Sequence, residues 1–256
     1  MHLNNRRERK TEWQIFTITG ARCLFRNSLV MLILAIDTTT FAGSAALLEK
    51  TKLLSEVNID SFSTYSERLL PSIHFLIETH KISLKEINAF AIAVGPGSFT
   101  GIRIGLSTIK SFSYASGKPI APVSTLKALA LKLHQTQSRL LCPLLDAKKG
   151  EIYAALFESR REELKETIAQ GAYSPDYFFS LVPSHRVVSF IGNGIQTYRE
   201  KIFQYFKDKA RLSFRSPFIA YEVGLLGYEL LKKNKGVSFQ ELRPLYFRRS
   251  QAEEKD

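Results

Sequence analysis

The sequence has few cysteines and no long apolar run, and each absence excludes a class of protein. Its 256 residues contain two cysteines, Cys23 and Cys142, which lie far apart without the spacing of metal ligands. A disulfide framework is therefore excluded, and a reduced compartment is favoured. No apolar run is long enough to span a bilayer. The sequence predicts a cytoplasmic protein that makes no use of a membrane.

Acidic residues are also scarce. The chain has 24 Asp and Glu residues against 36 Lys and Arg residues, for a net charge of +12. A surplus of this size makes a polyanion such as RNA a candidate partner. A solvated, lysine-rich surface explains the same charge and is the simpler interpretation. The sequence contains no aromatic motif of the kind that RNA-recognition modules use.

Residues 1–30 differ from the rest of the chain. They hold six basic residues against two acidic ones, and an apolar strand begins at Met31. We interpret this segment as a disordered or dispensable extension; an Arg-rich targeting segment is the alternative. The remaining chain is long enough for two lobes, which we expect at 31–135 and 136–256. The C-terminal helix could belong to the second lobe or pack back on the first.

One unit occurs twice in the two lobes. An apolar run ends on Asp37, turns through hydroxyl residues and returns as a second strand, and a similar run ends on Asp146. An internal structural repeat is the most economical interpretation. Main-chain N–H groups and hydroxyls at such a turn can bind phosphate, and the aspartate can hold hydrated Mg²⁺. Alternatively, Asp37 caps its own turn.

A glycine-rich stretch, 91–105, lies at the centre of the first lobe. It predicts a buried strand, a turn at 95–97 and a helix over 98–116. Gly97, Gly101 and Gly105 recur every four residues and so share one helix face. Each glycine destabilises a helix by about 1 kcal/mol relative to alanine, so something must approach the helix closely there. We expect packing within the chain at Gly97 and a partner's helix at the other two.

Other segments contribute to the predicted surface. A capping box opens a helix over 64–80, in which Leu70 and Phe75 widen the apolar stripe beyond what one core face requires. The segment from Arg160 to Lys165 is expected to be a charged loop or helix.

These features together resemble the TsaB (YeaZ) family, relatives of the glycoprotease-like TsaD within the actin-like ATPase superfamily. The resemblance covers about 31–254. The segments that carry it are Ile36-Asp-Thr-Thr39, Ser66-Glu-Arg-Leu-Leu-Pro71, Gly95-Pro-Gly-Ser-Phe-Thr-Gly-Ile-Arg-Ile-Gly105, Pro122-Val-Ser-Thr-Leu126, Asp146-Ala-Lys-Lys-Gly-Glu-Ile-Tyr153 and Pro244-Leu-Tyr-Phe-Arg248. It implies an α/β, two-lobed actin-like ATPase (ribonuclease H-like) fold with duplicated strand–Asp–turn–strand units.

The resemblance implies a non-catalytic scaffold. Such proteins pair with TsaD and, with the ATPase TsaE, support transfer of threonylcarbamoyl to N6 of the adenosine next to the tRNA anticodon. TsaD carries a metal-binding His-x-x-x-His, whereas the corresponding 124–130 here has no histidine, cysteine or carboxylate. No metal site and no catalytic residue are therefore expected, and tRNA is contacted mainly through the complex.

The family's dimer bundle implies the following interface residues, for a TsaD-type partner or a second copy: Tyr65, Glu67, Leu69, Leu70, Ile73, Gly101, Gly105, Thr108 and Phe112.

No cofactor is required on this interpretation, although residual ATP or ADP binding at the lobe or subunit interface stays open. The vestigial nucleotide site would comprise Asp37, Thr38, Thr39, Asp146, Gly192 and Gly194. The alternative function is a stand-alone actin-like ATPase or kinase that uses both aspartate hairpins. The lysine-rich turn after Asp146 departs from the glycine- and hydroxyl-rich loop of active ATPases, which weakens this alternative.

Overall fold

The computed structural model describes residues 31–40, 42–60, 65–134, 138–160 and 163–248. The extension predicted at 1–30 lies outside them. The strands within the described residues are β1 (Leu32–Asp37), β2 (Ala42–Glu49), β3 (Lys52–Asp60), β4 (Ala89–Gly95), β5 (Ile120–Ser124), β6 (Leu140–Lys148), β7 (Glu151–Arg160), β8 (Glu163–Tyr173), β9 (Val188–Ile191) and β10 (Ala210–Leu212). The helices are α1 (Tyr65–Thr79), α2 (Phe99–Ser116), α3 (Thr125–Lys132), α4 (Pro175–Leu181), α5 (Gly194–Thr197), α6 (Arg199–Phe206) and α7 (Ala220–Lys232). Short 3-10 turns occupy Leu84–Glu86 and Lys207–Lys209.

The strands form two five-stranded sheets of the same topology. Their orders are β3-β2-β1-β4-β5 and β8-β7-β6-β9-β10. In each sheet the first three strands in this order pair antiparallel with their neighbours. The last two strands run parallel to the central strand, which is β1 in the first sheet and β6 in the second. Asp37 ends β1 and Asp146 lies near the end of β6, so the two aspartates occupy equivalent places. The predicted α/β fold with duplicated strand–Asp–turn–strand units is confirmed.

Side-chain alternation along the strands builds three hydrophobic layers. In β1, Leu34 and Ile36 face α1 and α2, whereas Ile33 and Ala35 face the opposite layer. This middle layer holds α3 and α7 and is shared with the second sheet. The far side of the second sheet is covered by α4, α5 and α6. Because each sheet is covered on both faces, its central strands are apolar runs with little polar alternation.

Helix α7 follows the second sheet in the chain but packs on the first. It contacts β1, β2, β4 and β5. Gly227 allows this approach, since a Cβ there would press against the side chain of Ala91 in β4. The first sheet therefore obtains one of its two covering layers from the C-terminal part of the sequence.

One prediction about secondary structure is wrong. The segment from Arg160 to Lys165 contains the end of β7 and the start of β8. Glu163 and Lys165 are exposed while Leu164 is half-buried against the central layer, which is the two-residue period of an edge strand. Charged side chains are common on edge strands because they discourage pairing with other chains.

No helix among the residues that the structure describes is long and apolar enough to cross a membrane.

Candidate functional site

The first aspartate hairpin is fully enclosed. Asp37, Thr38 and Thr39 each have 0% exposure. The Oδ1 atom of Asp37 accepts hydrogen bonds from the main-chain N–H of Thr39 at 2.9 Å and from its hydroxyl at 2.6 Å. The Oδ2 atom is buried without a hydrogen-bond partner among the described residues. Burial raises the pKa of Asp37 to about 6, against the lowering effect of the Thr39 hydrogen bonds.

The glycine turn closes over this hairpin. The main-chain N–H of Ser98 donates to the carbonyl oxygen of Thr39 at 2.6 Å, and the hydroxyl of Thr38 donates to the carbonyl oxygen of Gly101 at 2.7 Å. A Cβ on Gly97 would overlap the carbonyl of Thr39, and one on Gly101 would overlap that of Thr38. The glycines thus let the start of α2 lie directly on the β1–β2 turn.

This geometry corrects the predicted role of two glycines. Gly101 and Gly105 were expected to make room for a partner's helix. Both are buried, and a Cβ on either would meet Thr38 of the same chain. The space that they leave is filled by the first hairpin, and at Gly97 the expected packing within the chain is confirmed.

Two further interface predictions are corrected. Leu69 and Ile73 are only 1% and 2% exposed and pack in the core layer between α1, α2 and the first sheet. The predicted apolar stripe was correct, but these two residues form its buried edge and cannot contact a partner.

Two apolar side chains of α1 are exposed, one on each side of the buried stripe. Leu70 is 51% exposed and Phe75 is 61% exposed, and Glu67 is exposed beside them. On α2, which contacts α1, Thr108 and Phe112 are half-buried. Phe112 lies 6.0 Å from the ring of Phe90, so most of its surface belongs to the core. The side chain of Tyr65 lies outside the described part of the chain.

Helix α2 adds an exposed aromatic residue that the sequence analysis missed. Tyr114 is 73% exposed and meets Phe239 edge-on at 5.2 Å. The periodicity of α2 would have identified it, because Tyr114 lies seven residues from Ser107 on the solvent side of the helix.

The second aspartate hairpin is held differently. Asp146 accepts from the main-chain N–H of Lys148 at 2.8 Å, and its other carboxylate oxygen pairs with the ammonium of the same lysine at 3.0 Å. The side chain of Asn193 accepts from the N–H of Asp146 at 3.1 Å. Gly192 and Gly194 allow this junction to lie against Leu144 of β6, so they serve packing between the strands and α5.

The C-terminal segment 244–248 crosses between the two hairpins. The N–H of Leu245 donates to the carbonyl oxygen of Val94 at 2.8 Å, at the end of β4. Tyr246 stacks on Phe99 with 4.5 Å between ring centroids. Arg248 then donates to the carbonyl oxygen of Ala147 at 3.0 Å, in the second hairpin. We call this segment the strap.

Several polar groups of the first hairpin are engaged within the chain. The N–H and hydroxyl of Thr39 are used by Asp37, and the hydroxyl of Thr38 is used by Gly101. At the second hairpin the ammonium of Lys148 lies where a cation would neutralise Asp146. Nucleotide binding at these aspartates therefore stays a prediction, and the contacts of Thr38, Thr39 and Lys148 within the chain would compete with it.

A buried ionic group beside the first hairpin was also missed by sequence reasoning. Lys132 pairs with Glu222 at 3.3 Å, and both side chains are largely buried. The N–H of Ala220 donates to the hydroxyl of Ser44, so the N-terminus of α7 is satisfied from β2. Burial raises the pKa of Glu56, which accepts from the next N–H of α7. These groups come from four separate elements, which no local sequence pattern connects.

Metal ligands are not clustered. Among the described residues, no three His, Cys, Asp or Glu side chains could hold one ion together. Helix α3 carries no histidine, cysteine or carboxylate, the side chains that bind metal ions.

Comparisons with known proteins agree with this architecture. The family model described as TsaD, tRNA N6-adenosine threonylcarbamoyltransferase, matches residues 60–255. A tRNA threonylcarbamoyladenosine biosynthesis protein TsaB of Haemophilus influenzae is 28% identical over 230 residues, which cover 84% of this chain and 93% of that protein. A Bacillus subtilis protein of the same name is 29% identical, covering 67% and 75%. The chain belongs to the TsaB (YeaZ) family of TsaD relatives.

A solved structure has the same fold. A Pseudomonas aeruginosa protein, described as similar to the peptidase YeaZ, superposes with a TM-score of 0.75 at 25% identity. It covers 85% of this chain and 100% of its own. The predicted family is confirmed.

Proposed function

We propose that this chain acts in tRNA threonylcarbamoyladenosine biosynthesis as a scaffold that binds a TsaD-type subunit through the outer face of α1 and α2. The observation that carries the proposal is the exposure of Leu70 and Phe75 on a helix whose other side is buried. Both are large apolar side chains that the chain's own core leaves uncovered, one on each side of the buried stripe of α1, and exposed apolar surface of this kind marks a site for a partner. The names of the TsaB relatives supply the pathway.

The subunit itself is non-catalytic on this proposal. Three observations support this: the absence of histidines at 124–130, the enclosure of Asp37 and the internal pairing of Asp146 with Lys148. Chemistry then belongs to the TsaD-type partner, with a TsaE-type ATPase as a third component. In the resting state, the alternative to this heterodimer is a homodimer through the same helical face. No cofactor is required, and any residual ATP or ADP binds at the lobe or subunit interface.

The test is a double variant, Leu70→Asp with Phe75→Asp. Both side chains are more than half exposed, so the chain should fold normally while binding to the TsaD-type subunit weakens more than tenfold. The matched control is Tyr177→Asp, a similar change at a 59% exposed aromatic residue of α4. Calorimetric titration and a tRNA modification assay give the readouts. Unchanged binding by the double variant would refute the interface.

The stand-alone ATPase or kinase is disfavoured by the same enclosure of the first hairpin. A phosphate-release assay on the purified chain tests it, with Asp37→Asn as the comparison. Nucleotide turnover that needs Asp37 and no partner would replace the scaffold proposal.

A further inference from the structure

The duplicated topology gives the second lobe an outer helical face of its own. Helix α4 follows β8 as α1 follows β3, and α5 with α6 joins β9 to β10 as α2 joins β4 to β5. This face also exposes large apolar side chains, with Phe203 at 40% on α6 and Phe214 at 65% just after β10. It differs from the first-lobe face in its charge.

The segment 186–215, which contains α6 and β10, is rich in basic residues, although Arg186 pairs with Glu158 of β7 and Arg215 donates to the main chain of α3. Between Arg186 and Arg215 there are seven Lys and Arg residues against two acidic ones, Glu200 and Asp208. On α6, Arg199 and Phe203 are four residues apart and both exposed, so they share one face, and the exposed Lys207 follows directly after the last residue of the helix. The guanidinium of Arg199 lies 5.8 Å from the centre of the Phe203 ring.

Some of these cations are neutralised within the chain and others are not. Lys201 pairs with Asp176, and Lys209 pairs with Asp208. Lys207, by contrast, makes no ion pair within the described part of the chain. Arg211 donates to the main-chain carbonyl oxygens of Asp208 and Ala210, which orients its guanidinium, and the nearby Asp208 carboxylate, which Lys209 already pairs, is its acidic neighbour.

The backbone at Lys207 adds a second observation. Its φ is 46° and its ψ is −124°, a conformation that glycine adopts readily and a side chain opposes.

We propose that α6 and β10 form an RNA-contacting surface, in which Arg199, Lys207 and Arg211 bind phosphates and Phe203 stacks on an unpaired base. Exposed cations interleaved with an exposed aromatic ring suit a single-stranded or loop segment, because phosphates meet the charges while the base covers the ring. An acidic protein segment would use the charges alone. The identification of the RNA as tRNA rests on the proposed function. The inference that this surface contacts RNA does not depend on that function.

Two variants separate the parts of this surface. Lys207→Gln with Arg211→Gln removes two phosphate contacts, and Phe203→Ala removes the ring. Lys165→Gln with Lys233→Gln is the matched control: both lysines are exposed, and Lys165 lies on β8, at the opposite edge of the same sheet. The probe is a labelled tRNA transcript with adenosine after its anticodon, titrated at several salt concentrations with the full chain alone and with its TsaD-type partner.

The Lys207 and Arg211 pair should weaken binding and lower the slope of log K against log salt by about 1.4. Phe203→Ala should weaken binding about 5- to 100-fold with the slope unchanged. Equal losses in the control pair, absence of RNA binding in both preparations, or equal binding of polyglutamate would each overturn the proposal. Thermal melting confirms that each variant is folded.

Binding to the TsaD-type partner is measured on the same variants. It should be unchanged, because the proposed partner face lies on the first lobe. If the variants bind the partner normally and bind RNA as the unmodified chain does, the RNA-contacting surface is refuted and the proposed function is not. If the unmodified chain does not bind the TsaD-type partner, the proposed function is refuted.

Discussion

The main-chain N–H of Ser98 donates to the carbonyl oxygen of Thr39 at 2.6 Å, so the glycine turn and the first aspartate hairpin are joined through their backbones. This contact requires α2 to begin almost in touch with the β1–β2 turn. The loop is therefore a packed junction, although its glycines are also typical of a phosphate-binding loop. The close contact explains why glycines occupy the start of the helix.

Gly101→Ala should therefore destabilise the chain. In an exposed helix this change stabilises by about 1 kcal/mol, but here the new Cβ would overlap the carbonyl of Thr38. We expect a loss of about 2–4 kcal/mol in the free energy of unfolding, measured with urea. Ser107→Ala, on the exposed side of α2, is the control and should change stability by less than about 0.5 kcal/mol. A neutral Gly101→Ala would show that the junction can relax.

Asp37 should make stability depend on pH. Because burial raises its pKa from 3.8 to about 6, folding favours the protonated acid. Its contribution to stability is fully present below pH 3.8 and is lost progressively as the pH rises to 6, and the loss reaches about 3 kcal/mol above pH 6. Asp37→Asn should remove this dependence in urea unfolding measured from pH 4 to 7. A variant with the wild-type pH profile would contradict the assignment.

Asp176 supplies the control for that measurement. The hydrogen bond from Lys201 holds the pKa of Asp176 below its usual range, so its contribution changes only at lower pH. Asp176→Asn should leave the profile between pH 4 and 7 as it is in the unmodified chain.

Lys207→Gly should stabilise the fold by about 1 kcal/mol. Glycine accepts the positive φ of this residue, and the side chain makes no ion pair with other described residues. Lys207→Ala keeps the unfavourable backbone and should be nearly neutral. Thermal melting of the two variants gives the comparison. If both behave alike, backbone strain at this position is negligible.

Shortening the chain after Arg243 should loosen two distant segments at once. The strap binds Val94 at the end of the first sheet and Ala147 in the second hairpin. Hydrogen exchange should therefore become faster both at 94–99 and at 146–151. Arg248→Ala, which keeps the contact at Val94, should affect only the second segment. Faster exchange at only one of the two segments in the shortened chain would mean that the strap does not join the lobes.

Sequence reasoning predicted the fold well because its signals are local or repeated. A few consecutive residues are enough to identify the apolar runs that end on Asp37 and Asp146. The same holds for the capped helix that starts after Ser98. Strand β8 was missed because its exposed face carries charges that a helix or a loop would also carry. For a segment at the edge of a sheet, the local composition does not distinguish a strand from a helix or a loop. Its secondary structure is determined by its position in the tertiary structure.

The candidate site was harder to predict because it depends on which neighbour fills a space. A glycine stripe shows that something approaches closely, but it does not distinguish Thr38 of the same chain from a partner's helix. In the same way, Leu69 and Leu70 are adjacent and equally apolar, yet one is buried and the other half exposed. Only the packing of α1 against the sheet separates them.

The position of α7 has a consequence for synthesis on the ribosome. The face of the first sheet that carries Ile33 and Ala35 is covered by a helix that begins at Ala220. Nearly the whole chain must emerge before that face can be shielded from water. Until then the N-terminal half exposes apolar surface. Its final folding step therefore depends on the synthesis of the last forty residues or so. A first half that folded before α7 emerged would leave this face of the sheet incompletely covered.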